Sequence, residues 1–117
     1  MRSLLPLFAF GLAIVLFSGC LEEQFAKRPV PTEGPFSKVV YITGAGFVPS
    51  ELYIRQGTQV TWVNDDSTPH TATSEGRFDS GVLRKGDSFS KRFDSVGVYD
   101  YVCVLHPLLR GVVNVTR

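Results

Sequence analysis

Two histidines and one cysteine stand out after position 37 as a set that could hold a metal ion. Cys103 and His106 are separated by two residues, and His70 lies well upstream of both. One thiolate with two imidazoles is the ligand set of a type 1 copper site, in which the three donors surround the ion in a plane. The residue types therefore predict one-electron copper chemistry at His70, Cys103 and His106.

Zinc is the competing metal for the same residues. A structural zinc site would need a fourth ligand, and the sequence after position 37 offers no further Cys or His. Asp65, Asp66 and Asp79 could each supply a carboxylate, although their place in turn-like segments explains them more simply.

The second cysteine, Cys20, bears on the state of Cys103. If Cys20 carries a lipid, Cys103 is a lone thiol in an oxidising compartment, where a bound metal ion would protect it. A disulfide between the two cysteines is the alternative, although a flexible tether is a poor place for half of a structural bridge.

The N-terminal segment has the layout of an export signal. Arg2 precedes an apolar stretch, residues 4–17, which is short for a membrane span of about twenty residues. Residues 17–20 resemble a lipobox, although Phe17 stands where Leu is usual. We expect residues 1–19 to be a signal peptide and Cys20 to be the lipidated anchor of a periplasmic or outer-surface protein. An ordinary cleaved signal and an uncleaved anchor are the alternatives.

The rest of the chain divides into a tether and one domain. Residues 20–37 are rich in proline and mixed charges, which predicts a flexible tether. Residues 38–117 contain short β-type segments separated by turn residues, which predicts an antiparallel β-sandwich. The predicted strands are 39–43, 52–55, 59–63, 71–74, 88–93, 98–102 and 112–116. With a net charge of +1 and no Lys/Arg cluster, the chain is not expected to bind nucleic acid.

Motifs spread over nearly the whole domain resemble the cupredoxins, most closely the amicyanin- and plastocyanin-like group. The matching segments are 47–49, 57–64, 69–71, 78–81, 99–103, 106–107 and 111–113. The resemblance implies a Greek-key β-sandwich with one copper ion near one end, held by His70, Cys103 and His106 as equatorial ligands. It also implies a monomer that exchanges electrons with redox proteins such as a cytochrome or a membrane oxidoreductase.

The main departure from the family pattern is Leu109, at the position of the weakly bound axial Met of amicyanins. Leu cannot coordinate, so Cu(II) loses stabilisation relative to Cu(I) and a raised reduction potential is expected. A decayed, metal-free site is the alternative, and the presence of all three strong ligands argues against it. The carbonyl oxygen of Pro69 could lie on the opposite axial side.

A second departure is Leu105, where amicyanins carry Pro and therefore lack a backbone N–H. If the N–H groups of Leu105 and Thr71 point at the Cys103 sulfur, they withdraw charge from the thiolate and favour Cu(I). Both departures then raise the reduction potential.

Several other residues are expected to have structural roles or to form the surface around the site. Trp62, Tyr99 and Tyr101 are expected to pack in the core, and Asn64 is expected to shape the turn before His70. The segment 107–109 is expected to form an apolar collar beside His106, which is the docking surface in this family.

A copper delivery or storage protein on the same fold is the alternative function, and no acid–base pair or second metal cluster suggests an enzyme.

Overall fold

The computed structural model describes residues 33–117, which form two facing β-sheets. In this part of the chain the strands are β1 (Ser37–Thr43), β2 (Gly46–Val48), β3 (Glu51–Arg55), β4 (Thr58–Asn64), β5 (Thr73–Ser74), β6 (Phe78–Asp79), β7 (Ser88–Phe93), β8 (Gly97–Cys103) and β9 (His106–Thr116). None of the described residues belongs to a helix that is long and apolar enough to cross a membrane. The predicted signal peptide, Cys20 and most of the predicted tether lie outside the described residues.

The strand order confirms the predicted all-β sandwich. One sheet has the order β2-β1-β4-β7 and the other has the order β3-β9-β8-β5-β6. Both sheets are mixed, because β1 runs parallel to β4 and β3 runs parallel to β9. The expectation of wholly antiparallel sheets is corrected at these two pairs. Each joins strands that are not consecutive, so the intervening chain supplies the crossover that a parallel pair requires.

Two short strands and one boundary differ from the sequence-based prediction. The strands β2 and β6 were not predicted, because two or three residues are too few to show an alternating pattern. The strand β9 begins at His106 rather than at position 112. Its pairing with β8 extends back from residue 112 through residues 111 and 110, and His106 pairs with Cys103 at the end of β8. The second histidine is therefore the first residue of a strand.

An aromatic core fills the space between the sheets. Trp62 is fully buried, and its ring contacts the rings of Phe78, Phe89, Phe93 and Tyr101. Tyr101 is buried as well, and it faces Gly111 on β9, where a Cβ would overlap the phenol ring. The expectation that these aromatic residues pack in the core is confirmed. Cys103, two residues after Tyr101 and on the same face of β8, is also buried, at the end of the strand.

Candidate metal centre

The three candidate ligands meet at one end of the sandwich. Their donor atoms all lie within 4.8 Å of one another. The Sγ atom of Cys103 lies 3.5 Å from Nδ1 of His70 and 3.6 Å from Nδ1 of His106. His70 and Cys103 are buried, whereas His106 is half-buried. One sulfur and two ring nitrogens thus face a common point, with one imidazole edge reaching the surface.

Two strand ends position Cys103 and His106. Cys103 is the last residue of β8 and His106 is the first residue of β9, and the two residues are paired across the turn that joins these strands. The β8–β9 ladder changes register between Val102 and Cys103. Such irregularities redirect side chains at the end of a strand. The short separation seen in the sequence therefore becomes a tight hairpin that directs both side chains to the same place.

A pinned loop positions His70. The backbone of His70 exchanges two hydrogen bonds with Leu83, of 3.0 and 2.7 Å. The buried side-chain amide of Asn64 donates to the carbonyl oxygens of Leu83, at 2.7 Å, and Thr68, at 3.0 Å. The expectation that Asn64 shapes this turn is confirmed. His70 therefore lies in a loop, but the loop is tied to its neighbours on both sides.

Asp66 contacts the far side of the His70 ring. Its Oδ2 atom lies 2.8 Å from Nε2 of His70, whereas Nδ1 is the nitrogen that faces Cys103. A carboxylate that accepts the Nε2–H leaves Nδ1 unprotonated in the neutral ring and thus available to a metal ion. Asp66 is itself held by its backbone N–H, which donates to Oδ1 of Asn64 at 2.8 Å.

The sequence-based interpretation placed Asp66 among simple turn residues and missed this contact. The four-residue spacing to His70 was the only signal, and it does not reveal the direction of either side chain. Asp65 and Asp79, the other carboxylates considered, lie outside the cluster of three ligand candidates. Asp66 thus supports a ligand candidate instead of supplying a fourth donor to the cluster.

The ion pair perturbs both groups in the absence of metal. Burial lowers the pKa of His70, but the hydrogen bond to Asp66 and the interaction with Cys103 outweigh it, so the pKa is raised above 6.5. The hydrogen bond from His70 lowers the pKa of Asp66 below 3.8. Each group thus favours the charged form of the other.

The sulfur of Cys103 lies among hydrogen-bond donors. The backbone N–H of Thr71 donates to Sγ at 3.3 Å. Burial raises the pKa of the thiol, but hydrogen bonds from Thr71, His106, His70 and the Leu105 backbone outweigh burial and lower the pKa to about 6. A thiolate, the form that binds metals, is therefore favoured at neutral pH. The prediction that the N–H group of Thr71 points at this sulfur is confirmed.

An apolar collar surrounds the exposed edge of His106. Leu105, Pro107, Leu108 and Leu109 line an open cavity of about 650 Å³ that His106 also lines. The side chain of Leu108 is 95% exposed. Leu109 is half-buried and packs against the core, near Gly46 at the start of β2. The residue at the expected axial position is thus held in place by packing.

The donor set fits copper better than zinc. Among residues 33–117, the group of potential ligands consists of one thiolate and two imidazoles, with no carboxylate as a fourth member. Structural zinc sites are almost always four-coordinate, whereas two His and one Cys in a trigonal arrangement are typical of type 1 copper. The hydrogen-bonded His70 and the low pKa of the Cys103 thiol agree with a site that is ready to bind such an ion.

Comparison with known proteins assigns the family. The family model for copper binding proteins of the plastocyanin/azurin family matches residues 38–116. Amicyanin-alpha from Methylorubrum extorquens is 31% identical over 117 residues, which cover 92% of this chain and 90% of that protein. Amicyanin from Paracoccus denitrificans is also 31% identical, over 76% of this chain and 79% of that protein. A purple cupredoxin from Nitrosopumilus maritimus matches in structure with a TM-score of 0.63 and 34% identity, over 68% of this chain and 99% of that one.

These relatives bear the names of small copper proteins rather than of enzymes, as expected for a non-enzymatic protein. The matched segment contains all of the described strands from β2 to β9 and all three candidate ligands. The chain therefore belongs to the plastocyanin/azurin family of copper-binding proteins, the cupredoxins, and copper is its cofactor.

Proposed function

We propose that this cupredoxin carries single electrons between redox proteins, with one copper ion held by His70, Cys103 and His106. Bound copper supplies a one-electron couple between Cu(II) and Cu(I). The observation that carries the proposal is the convergence of one buried thiol and two imidazole nitrogens within 4.8 Å of one another. Because two of these residues end or begin strands and the third lies in a pinned loop, the protein holds nearly the same geometry for both oxidation states.

The collar around His106 is the proposed contact surface for redox partners. His106 is half-buried, so its ring edge offers a route from the buried sulfur to the surface. The exposed Leu108 and its apolar neighbours offer a patch from which a partner can displace water. A net charge of +1 gives little electrostatic steering, so the partner, such as a cytochrome or a membrane oxidoreductase, is held mainly by apolar contact.

The proposed location is outside the cytoplasm, on a membrane. Residues 1–19 act as the export signal, Cys20 carries the lipid, and residues 20–37 tether the domain of residues 38–117. The support for this assignment is the apolar stretch that ends in Ser18-Gly19-Cys20 and the proline-rich segment that follows. We propose that the domain acts as a monomer.

The proposed reduction potential is higher than that of a relative with an axial Met. Leu109 offers no donor atom to Cu(II), and the N–H groups of Thr71 and Leu105 withdraw charge from the Cys103 sulfur. Both effects favour Cu(I). The protein is therefore a comparatively strong one-electron oxidant within its family.

Loading the purified full-length protein with Cu(II) tests the proposed function. We expect an intense visible absorption that ascorbate bleaches and a mild oxidant restores over repeated cycles, because the same three residues hold both oxidation states. The zinc-loaded protein is the colourless control. A protein that stays colourless with Cu(II) and releases Cu(I) readily to a chelator would instead be a delivery or storage protein.

Replacing Asp66 with Ala should weaken copper binding by roughly tenfold to a hundredfold, the usual effect of removing a carboxylate that orients a ligating histidine. Without the acceptor at Nε2, His70 loses the contact that keeps Nδ1 available. Competition with a copper chelator measures the affinity. The control is Asp65→Ala, which removes an exposed neighbouring carboxylate outside the ligand cluster. Equal affinities for the two variants would contradict the role of Asp66.

A further inference from the structure

A row of hydrogen-bonding side chains leads from the Cys103 segment to a surface carboxylate. The backbone N–H of Val104, the residue after Cys103, donates to Oγ1 of Thr71 at 2.9 Å. Oγ1 of Thr73 lies 3.0 Å from Oγ1 of Thr71 and 3.0 Å from Oδ1 of Asp79. Thr71 is buried, Thr73 is half-buried and Asp79 is exposed. The row thus begins beside a candidate ligand and ends in solvent.

The number of available protons determines the direction of each bond. A hydroxyl group has one proton, and an ionised carboxylate can only accept. Thr73 is the donor in both of its contacts, so its one proton is shared between Oγ1 of Thr71 and Oδ1 of Asp79. Oγ1 of Thr71 accepts from Thr73 and from the N–H of Val104. The hydroxyl group of Thr73 thus links the oxygen that holds the Val104 peptide to the carboxylate of Asp79.

Thr71 contacts the Cys103 segment in two ways. Its backbone N–H donates to Sγ of Cys103 at 3.3 Å, and its hydroxyl group holds the peptide that follows Cys103. A rotation of the Thr71 side chain would release that peptide and change the path of the chain next to the sulfur. The orientation of one buried hydroxyl group therefore affects the geometry around the sulfur.

Asp79 is itself held in place. Its partner across the β5–β6 ladder is Thr73, and the backbone N–H of Gly81 donates to its Oδ1 at 2.9 Å. The backbone ladder does not need either side chain, because main-chain groups form it. The side chains of Thr73 and Asp79 thus make contacts beyond those that build the strand pair.

We propose that Thr73 and Asp79 are positioning residues for the copper site, which orient the hydroxyl group of Thr71 and through it the Cys103–Val104 peptide. This role goes beyond electron carriage. It rests on the proposed copper site only for its effect on the spectrum, and the hydrogen-bond chain itself can be tested without metal.

Replacing Thr73 with Val removes the hydroxyl group and keeps the shape of the side chain. Oγ1 of Thr71 then loses the hydrogen bond that Thr73 donates, its side chain is free to rotate, and we expect the Val104 amide of the metal-free full-length protein to exchange with solvent roughly fivefold faster. Thr73→Ser should restore slow exchange. Asp79→Asn, which keeps an acceptor but removes the charge, should give an intermediate rate. Amide hydrogen exchange followed by NMR measures each of these rates.

Thr61→Val is the matched control, since it removes a buried hydroxyl that contacts Ser90 at 2.7 Å in the other sheet. It should leave the exchange of the Val104 amide unchanged. Equal Val104 exchange in Thr73→Val and Thr61→Val would overturn the proposal. In the copper-loaded proteins, Thr73→Val should shift the visible band and Thr61→Val should not. An unshifted band would overturn the link to the sulfur, whereas loss of copper binding in the unmodified protein would contradict only the proposed function.

Discussion

Replacing Cys103 with Ser is expected to abolish the intense visible absorption of the Cu(II)-loaded protein completely. That absorption requires a thiolate bound to Cu(II), and the serine hydroxyl does not ionise at neutral pH. The structure lowers the pKa of the Cys103 thiol to about 6 through surrounding hydrogen bonds, so the wild-type sulfur is ready to bind as a thiolate. Serine is close to cysteine in size, so the buried end of β8 should stay packed. Absorption spectroscopy on protein loaded with one equivalent of Cu(II) measures the result.

The other cysteine of the chain gives the control for this experiment. Cys20→Ser removes a thiol but leaves the three proposed ligands in place, so the absorption should persist. If Cys20 and Cys103 instead formed a disulfide, the unmodified protein would show no absorption until the bridge was reduced. A band that survives in Cys103→Ser would contradict the ligand assignment.

Replacing Leu109 with Met should lower the reduction potential by roughly 60 mV or more, which for a one-electron couple is a tenfold relative stabilisation of Cu(II). A thioether at this position would add a weak axial donor, and such a donor stabilises Cu(II) more than Cu(I). The Leu109 side chain is half-buried and packs near Gly46, so an unbranched Met of similar volume fits with little rearrangement. A redox titration of the two proteins under the same conditions measures the difference.

Leu108→Met is the matched control for the axial substitution. It introduces the same thioether one residue earlier, on a side chain that is 95% exposed. Its reduction potential should remain that of the unmodified protein. A potential of Leu109→Met equal to or above that of the unmodified protein would refute the axial explanation, and the N–H groups around Cys103 would then have to account for the potential.

The general architecture could be predicted from local patterns. Alternating residues such as Val60 and Trp62 against Thr61 and Val63 indicate a strand with one buried face, and seven of the described strands were placed in this way. The strands β2 and β6 could not be predicted, because two or three residues are too few to show an alternating pattern. The parallel pairing of β1 with β4 likewise depends on how the chain crosses between sheets.

The candidate ligands could be predicted from the sequence alone, because only one thiol and two imidazoles lie in the domain segment and this combination is typical of type 1 copper. The absence of an axial Met at Leu109 followed from the resemblance to the amicyanin pattern. These conclusions need residue types and order along the chain, and no distances.

The tertiary structure decided how those ligands are supported. The contact of Asp66 with Nε2 of His70 depends on the path of the loop, and the pattern of turn residues is the same whichever way the carboxylate points. The hydrogen bonds that link Val104 to Thr71, and Thr73 to both Thr71 and Asp79, join residues from separate loops and strands. Hydrogen bonds act over about 3 Å, so only the folded positions of these atoms reveal them.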